Sequence, residues 1–89
     1  MINVDEQKIK QNGIHIGQNI RKIRKAKNIG QTELTCKLEL MGISMTRETL
    51  VKIERGIQHI YATQLYGIKK ALDTTYDELL KCSEICDIL

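Results

Sequence analysis

The sequence predicts an all-α fold, a compact bundle of five short helices that contains a helix-turn-helix. Three observations predict it. Apolar residues recur at helical spacing, with polar residues between them. The stripes are interrupted at short intervals by Gly, Asn, Ser and Thr, residue types that end or begin helices. From residue 16 onward no sustained alternation of β-branched and polar residues marks a strand.

The elements follow in order. Ile16, Ile20 and Ile23 form the stripe of helix one, which ends at Asn28–Ile29–Gly30, where Asn28 or Gly30 takes the left-handed cap. Leu34, Leu38 and Met41 form helix two, ended by Gly42. Ser44 and Thr46 are N-cap types for helix three, which has the pair Leu50 and Ile53 and ends at Gly56. Tyr61, Leu65, Ile68 and Leu72 define helix four. Thr74 or Thr75 caps helix five, Asp77 and Glu78 suit the positive end of its dipole, and Tyr76, Leu79 and Leu80 supply its apolar side. This places the domain at 16–80. Residues 1–15 read as an N-terminal arm or a further short element, and 81–89 as a C-terminal extension and candidate dimerisation segment.

Composition narrows the function. A chain of 89 residues fits one domain with a modest core, for which dimerisation is a natural source of added stability. No run reaches the roughly 18 apolar residues of a membrane span, and no basic-then-apolar leader is evident, so a cytoplasmic protein without a membrane is expected. Three Cys, at 36, 82 and 86, are read as reduced thiols, with Cys36 a small core or boundary residue. Cys82 and Cys86 offer one pair for zinc, but neither Cys36, His15 nor His59 completes a second pair, so no metal or cofactor is expected. No nucleophile–base set and no phosphate-binding Gly loop is present, which argues against an enzyme and against a small-molecule substrate.

Charge is unevenly spread. Residues 20–55 hold nine Lys/Arg against four Asp/Glu, a net of +5, whereas residues from 73 onward hold five acids against one Lys, a net of −4. A polarised basic face suits a phosphate-bearing partner. Helices two and three, joined by the turn Gly42–Ile43–Ser44, form a helix-turn-helix, which sets its second helix in the major groove of double-stranded DNA. With Leu50 and Ile53 turned to the core, Arg47, Glu48, Val51 and Lys52 share an outward face, with Arg55 beyond them. Arg or Lys suits guanine, Glu the cytosine amino group and Val a thymine methyl. Gln31 and Thr32 stand where unpaired N–H groups and the dipole of helix two favour a phosphate. Arg24 lies beside the stripe of helix one and Glu54 beside that of helix three. Charges so near a core need partners, and the simplest solution pairs them with each other.

The segments Ile16–Lys25, Ile29–Leu34, Leu50–Gly56, Ile68–Leu72 and Tyr76–Leu80 resemble, in order, the Cro/lambda-repressor class of helix-turn-helix proteins, the XRE family. The resemblance implies a lambda-repressor-like five-helix bundle and a bacterial or phage repressor that binds operators as a dimer. It places a phosphate-contacting Gln on Gln31, recognition contacts on Thr46, Arg47, Glu48, Thr49 and Lys52, a backbone contact near Arg55, and a core ion pair on Arg24 and Glu54. Three departures stand out. Thr35 occupies a position where the family usually has Ala. The segment from Thr35 to Leu50 is about five residues longer than the family pattern, adding roughly one turn to helix two and lengthening the turn. The loop Ile57–Gln58–His59–Ile60 is less basic than is typical.

The function expected is therefore sequence-specific regulation of transcription by a homodimeric repressor on a palindromic operator. The preferred dimer face is Tyr76, Leu80, Ile85 and Leu89, with the N-terminal arm as rival. The alternative is a protein-interaction module such as an antitoxin, which has no need of Arg47 and Lys52 beside Glu48 on an outward face.

Overall fold

The structure, a computed structural model, describes residues 14–82. Five helices follow one another: α1 (Ile16–Ala26), α2 (Gln31–Leu40), α3 (Arg47–Glu54), α4 (Ala62–Ala71) and α5 (Tyr76–Leu79). The described part is thus all-α, as the periodicity predicts. An isolated antiparallel bridge joins Ile14 to Cys82. No described helix is long and apolar enough to cross a membrane.

One core holds the elements together. Ile16 and Ile20 of α1, Leu34 and Leu38 of α2, Leu50 and Ile53 of α3, Leu65 and Ile68 of α4, Leu72 and Leu79 meet in it, with Met45 and Ile60 added from connecting segments. Burying each such side chain contributes about 1.5–3 kcal/mol relative to leaving it in water. α1 packs on α3 and α5, while α2 packs on α3 and α4.

Four helix ends use one device. The residue after each C-cap has positive φ: Asn28 (58°), Gly42 (81°), Gly56 (78°) and Asp73 (53°). The next amide then reaches back to a carbonyl in the last turn: Ile29 N to Arg24 O (3.0 Å), Ile43 N to Leu38 O (2.9 Å), Ile57 N to Lys52 O (2.9 Å), Thr74 N to Lys69 O (3.1 Å). This is the Schellman closure, which satisfies otherwise orphaned carbonyls. Asn28 takes the left-handed position, and Gly30 instead serves as N-cap of α2. Asp73, without a Gly to advertise it, does the same for α4. Thr46 caps α3 and Thr75 caps α5, each accepting from an amide three residues on. At α4 the Tyr61 amide donates to Gln64 Oε1 (2.9 Å).

The structure corrects several assignments. Met41 is exposed, because α2 stops at Leu40 and the chain reverses at Gly42; half-buried Ile43 and buried Met45 take its place against the core. The α2–α3 connection therefore runs from Met41 to Thr46 rather than over Gly42–Ile43–Ser44 alone. Cys36 is exposed, not a core or boundary residue: two positions from both Leu34 and Leu38, it points about 160° around the helix from each of them. Tyr61 is only half-buried at the N-cap of α4, and Tyr76 opens α5 on the surface. Thr35 is buried, and its hydroxyl donates to Thr32 O (2.9 Å), so the polar atom that replaces an Ala methyl is satisfied locally.

Two further ties close the bundle. Asn19 Nδ2 on α1 donates to Leu79 O (2.8 Å) and Lys81 O (2.9 Å), fastening the end of α5 and the strand-like residues after it. Lys27 Nζ donates to Asp73 O (2.9 Å), linking the ends of α1 and α4.

Two glycines mark close approaches of different kinds. A Cβ at Gly17 would strike the Ile53 carbonyl of α3, whereas one at Gly67 would meet the ends of the Ile43 and Leu38 side chains. Backbone cannot yield as a flexible side chain can. Gly17→Ala is therefore expected to cost about 3 kcal/mol or more and Gly67→Ala about 1 kcal/mol, read from urea unfolding. Equal losses would show that α1 and α3 can separate.

Candidate nucleic-acid interface

The helix-turn-helix is formed by α2 and α3. Thr46 begins α3: its Oγ1 accepts from the Thr49 amide (3.1 Å) and donates to Thr49 Oγ1 (3.0 Å). A residue assigned to base contact thus also holds the first turn of the helix together. Leu50, Ile53 and Glu54 are buried, while Arg47, Glu48 and Lys52 are exposed and Thr49 and Val51 half-buried. Arg55, at the C-cap, is exposed. The outward face read from the sequence is therefore open to a partner.

Glu54 is the inner anchor of this helix. Arg24 Nε donates to Glu54 Oε2 (2.7 Å) and Arg24 Nη2 to Glu54 Oε1 (3.0 Å), a bidentate pair with Arg24 6% and Glu54 3% exposed. Arg24 Nη1 donates to Ile29 O (2.9 Å), and Gln31 Nε2 donates to Glu54 Oε1 (3.1 Å). Buried charges are costly unless their hydrogen-bonding capacity is filled. Here no fully buried side-chain nitrogen or oxygen is left without a partner among the described residues.

Gln31 occupies the first position of α2, half-buried, with exposed Thr32 beside it. The N-cap, Gly30, supplies no side chain to the first turn. Gln31 is held by Glu54, so the same carboxylate that anchors α3 also orients the side chain at the mouth of α2.

Gln31, Val51 and Arg55 meet in a cleft of ≈ 780 Å³, together with Glu54 and with Gln18, Arg21, Lys22 and Lys25 of α1. Arg47, Glu48 and Lys52 do not line it; they stand on the adjoining outer surface of α3. The α1 cations are not part of the site that the sequence predicts. Their signal lies in the spacing of 18, 21, 22 and 25, one face of a helix, but only the packing of α1 on α3 shows that this face borders α3. Among the described residues no group of His, Cys, Asp and Glu could hold a metal ion; Cys86, half of the Cys82–Cys86 pair, lies outside them, as do Ile85 and Leu89 of the expected dimer face.

Helix order and the buried Arg–Glu anchor give the all-α helix-turn-helix fold that the sequence resemblance implies. Among solved structures the chain is similar to the restriction-modification controller protein C.AhdI from Aeromonas hydrophila. The identity is 29%, the TM-score 0.60, and the match covers 74% of this chain and 92% of that one. No family model matches the sequence, and no curated protein matches it.

Removing Arg24 leaves Glu54 buried and unpaired, so Arg24→Met is expected to cost about 3–5 kcal/mol, while Arg24→Met with Glu54→Leu recovers most of that loss. A double-mutant cycle on urea midpoints checks it; simple additivity would contradict a mutual anchor. Loss of the N-cap in Thr46→Ala is expected to cost about 1 kcal/mol. Amide exchange should then accelerate first at Arg47–Thr49, and uniform acceleration across α3 would contradict a local capping role.

Proposed function

We propose that this chain is a sequence-specific, double-stranded-DNA-binding transcriptional regulator, not an enzyme, and that it acts as a homodimeric repressor on a palindromic operator. The observation that carries the reading is α3 itself. It is a capped helix anchored from behind by a buried ion pair, with Arg47, Glu48 and Lys52 exposed and Val51 partly so on the side away from the core. The likeness to C.AhdI, a restriction-modification controller protein, supports a regulatory role.

Mechanism follows from the chemistry of that face. Recognition helices of this motif use their N-terminal residues on base edges in the major groove. Arg47 and Glu48 are the first two residues of α3, and Val51 and Lys52 lie one turn further on. Arg47 and Lys52 donate to guanine O6 and N7, Glu48 accepts from cytosine N4, and Val51 packs on a thymine methyl. Gln31 and Thr32 take a backbone phosphate at the opening of α2, and Arg55 another at the far end of α3. Because the Thr46 and Thr49 hydroxyls are already bonded to each other, their further contacts share those oxygens and the remaining Thr49 proton. One recognition helix offers a small contact, and two related by a dyad read paired half-sites with multiplied affinity.

The test is selection of binding sites from random duplex followed by binding of Arg47→Ala/Lys52→Ala to the selected site. The expected outcome is a palindrome, and a loss of binding of at least about 100-fold, given about 1–3 kcal/mol for each good base contact. Helicity and self-association should be unchanged. Undiminished binding by the variant would assign recognition to another element, and no enrichment at all would favour a protein partner.

A further inference from the structure

The structure carries a second basic feature that the recognition helix does not use. Gln18, Arg21, Lys22 and Lys25 follow one another at i, i+3, i+4 and i+7 on α1, opposite the face that buries Ile16 and Ile20. All but Gln18 are cations, and all four are exposed. Arg21 and Lys25 are four residues apart, a like-charge spacing that destabilises a helix by roughly 0.2–0.5 kcal/mol. None of the three forms an ion pair with a carboxylate among the described residues. Glu54 is the single carboxylate among the described residues that line this cleft, and Arg24 neutralises it.

Position adds to charge. The same cleft takes in Gln31 at the start of α2 and Val51 and Arg55 of α3. The stripe is therefore continuous with the flank of the recognition helix. From residue 18 to 25 it rises about 10 Å, comparable to the axial length over which one strand of B-DNA presents about three phosphates.

We propose that Arg21, Lys22 and Lys25, with Gln18 and Arg55 beside them, form a phosphodiester-backbone site on α1 that grips the DNA strand bordering the groove entered by α3. This inference rests on the reading of α3 as a recognition helix. The phosphates supply the anionic partners that the stripe lacks among the described residues, and release of their condensed counterions supplies the affinity. Such contacts fix orientation and register and carry no base preference of their own. α1 is thereby a second, sequence-blind element of the interface, joined to the sequence-reading one through the Arg24–Glu54 pair.

The experiment compares the full chain with Arg21→Gln/Lys25→Gln by fluorescence anisotropy on a selected duplex and on an unrelated duplex of equal length, between about 50 and 200 mM salt. Circular dichroism and thermal unfolding confirm that the variant folds. Each lost phosphate contact lowers the slope of log K against log salt by about 0.9, so the variant should lose close to 2 units of slope per bound subunit on both duplexes. The ratio of the two affinities should stay unchanged. An unchanged slope, alongside loss of preference in Arg47→Ala/Lys52→Ala, overturns the α1 site and leaves the recognition helix standing. A wild-type slope near zero overturns both. A changed affinity ratio with an unchanged slope makes the stripe a base reader and overturns the proposal. Tripolyphosphate binding that the variant loses while its duplex slope is intact assigns the stripe to a free polyanion and likewise overturns it.

Discussion

The bidentate Arg24–Glu54 pair is the constraint on which the rest of the molecule depends. Apolar side chains such as Ile20, Leu50 and Ile53 favour contact between α1 and α3 but are nearly indifferent to small slides of one helix along the other. Two charges removed from water are not indifferent: their attraction offsets the cost of desolvation only in good geometry. At 2.7 and 3.0 Å, that geometry fixes the register of α3 on α1. Gly17 allows the approach, since the Ile53 carbonyl occupies the space a Cβ would need. Arg24 also binds the Ile29 carbonyl and Glu54 the Gln31 amide, so the entrance to α2 is set by the same four groups.

Rigidity is completed at the helix ends. Three of the four interhelix connections that follow Schellman closures begin beside elements of the interface: Asn28 before α2, Gly42 before α3 and Gly56 after it. Thr46 then closes the near end of α3. For the proposed role of α3, its outward side chains must be held to within small tolerances if hydrogen bonds to base edges are to discriminate. In this fold that accuracy comes from backbone hydrogen bonds and one ion pair more than from bulk, since the domain is too small for an extensive core.

Much of this was legible in the sequence. The stripes of Ile16, Ile20, Leu34, Leu38, Leu50, Ile53, Leu65, Ile68, Leu72 and Leu79 gave the helices and most of the core, because helical spacing and burial are the same signal. Arg24 and Glu54 could be paired in advance because charges bordering two apolar stripes have few other ways to be satisfied. Met45 and Ile60 could not be found that way: they enter the core from connections, where no periodicity exists to mark them. Met41 misled because it continued the stripe of α2 at the C-cap, one residue past the last helical position, Leu40. The site divides similarly. The face of α3 is local and readable; the α1 cations become part of a surface only through long-range packing against α3.

The bridge between Ile14 and Cys82, reinforced by Asn19, brings the two ends of the described domain to one place. A folded unit whose chain enters and leaves side by side transmits little distortion to whatever is joined at those points. The five helices therefore form a self-contained cassette: a polypeptide can be spliced on or looped through at that one corner while the α1–α3 anchor, at the other end of its own helix, keeps its alignment.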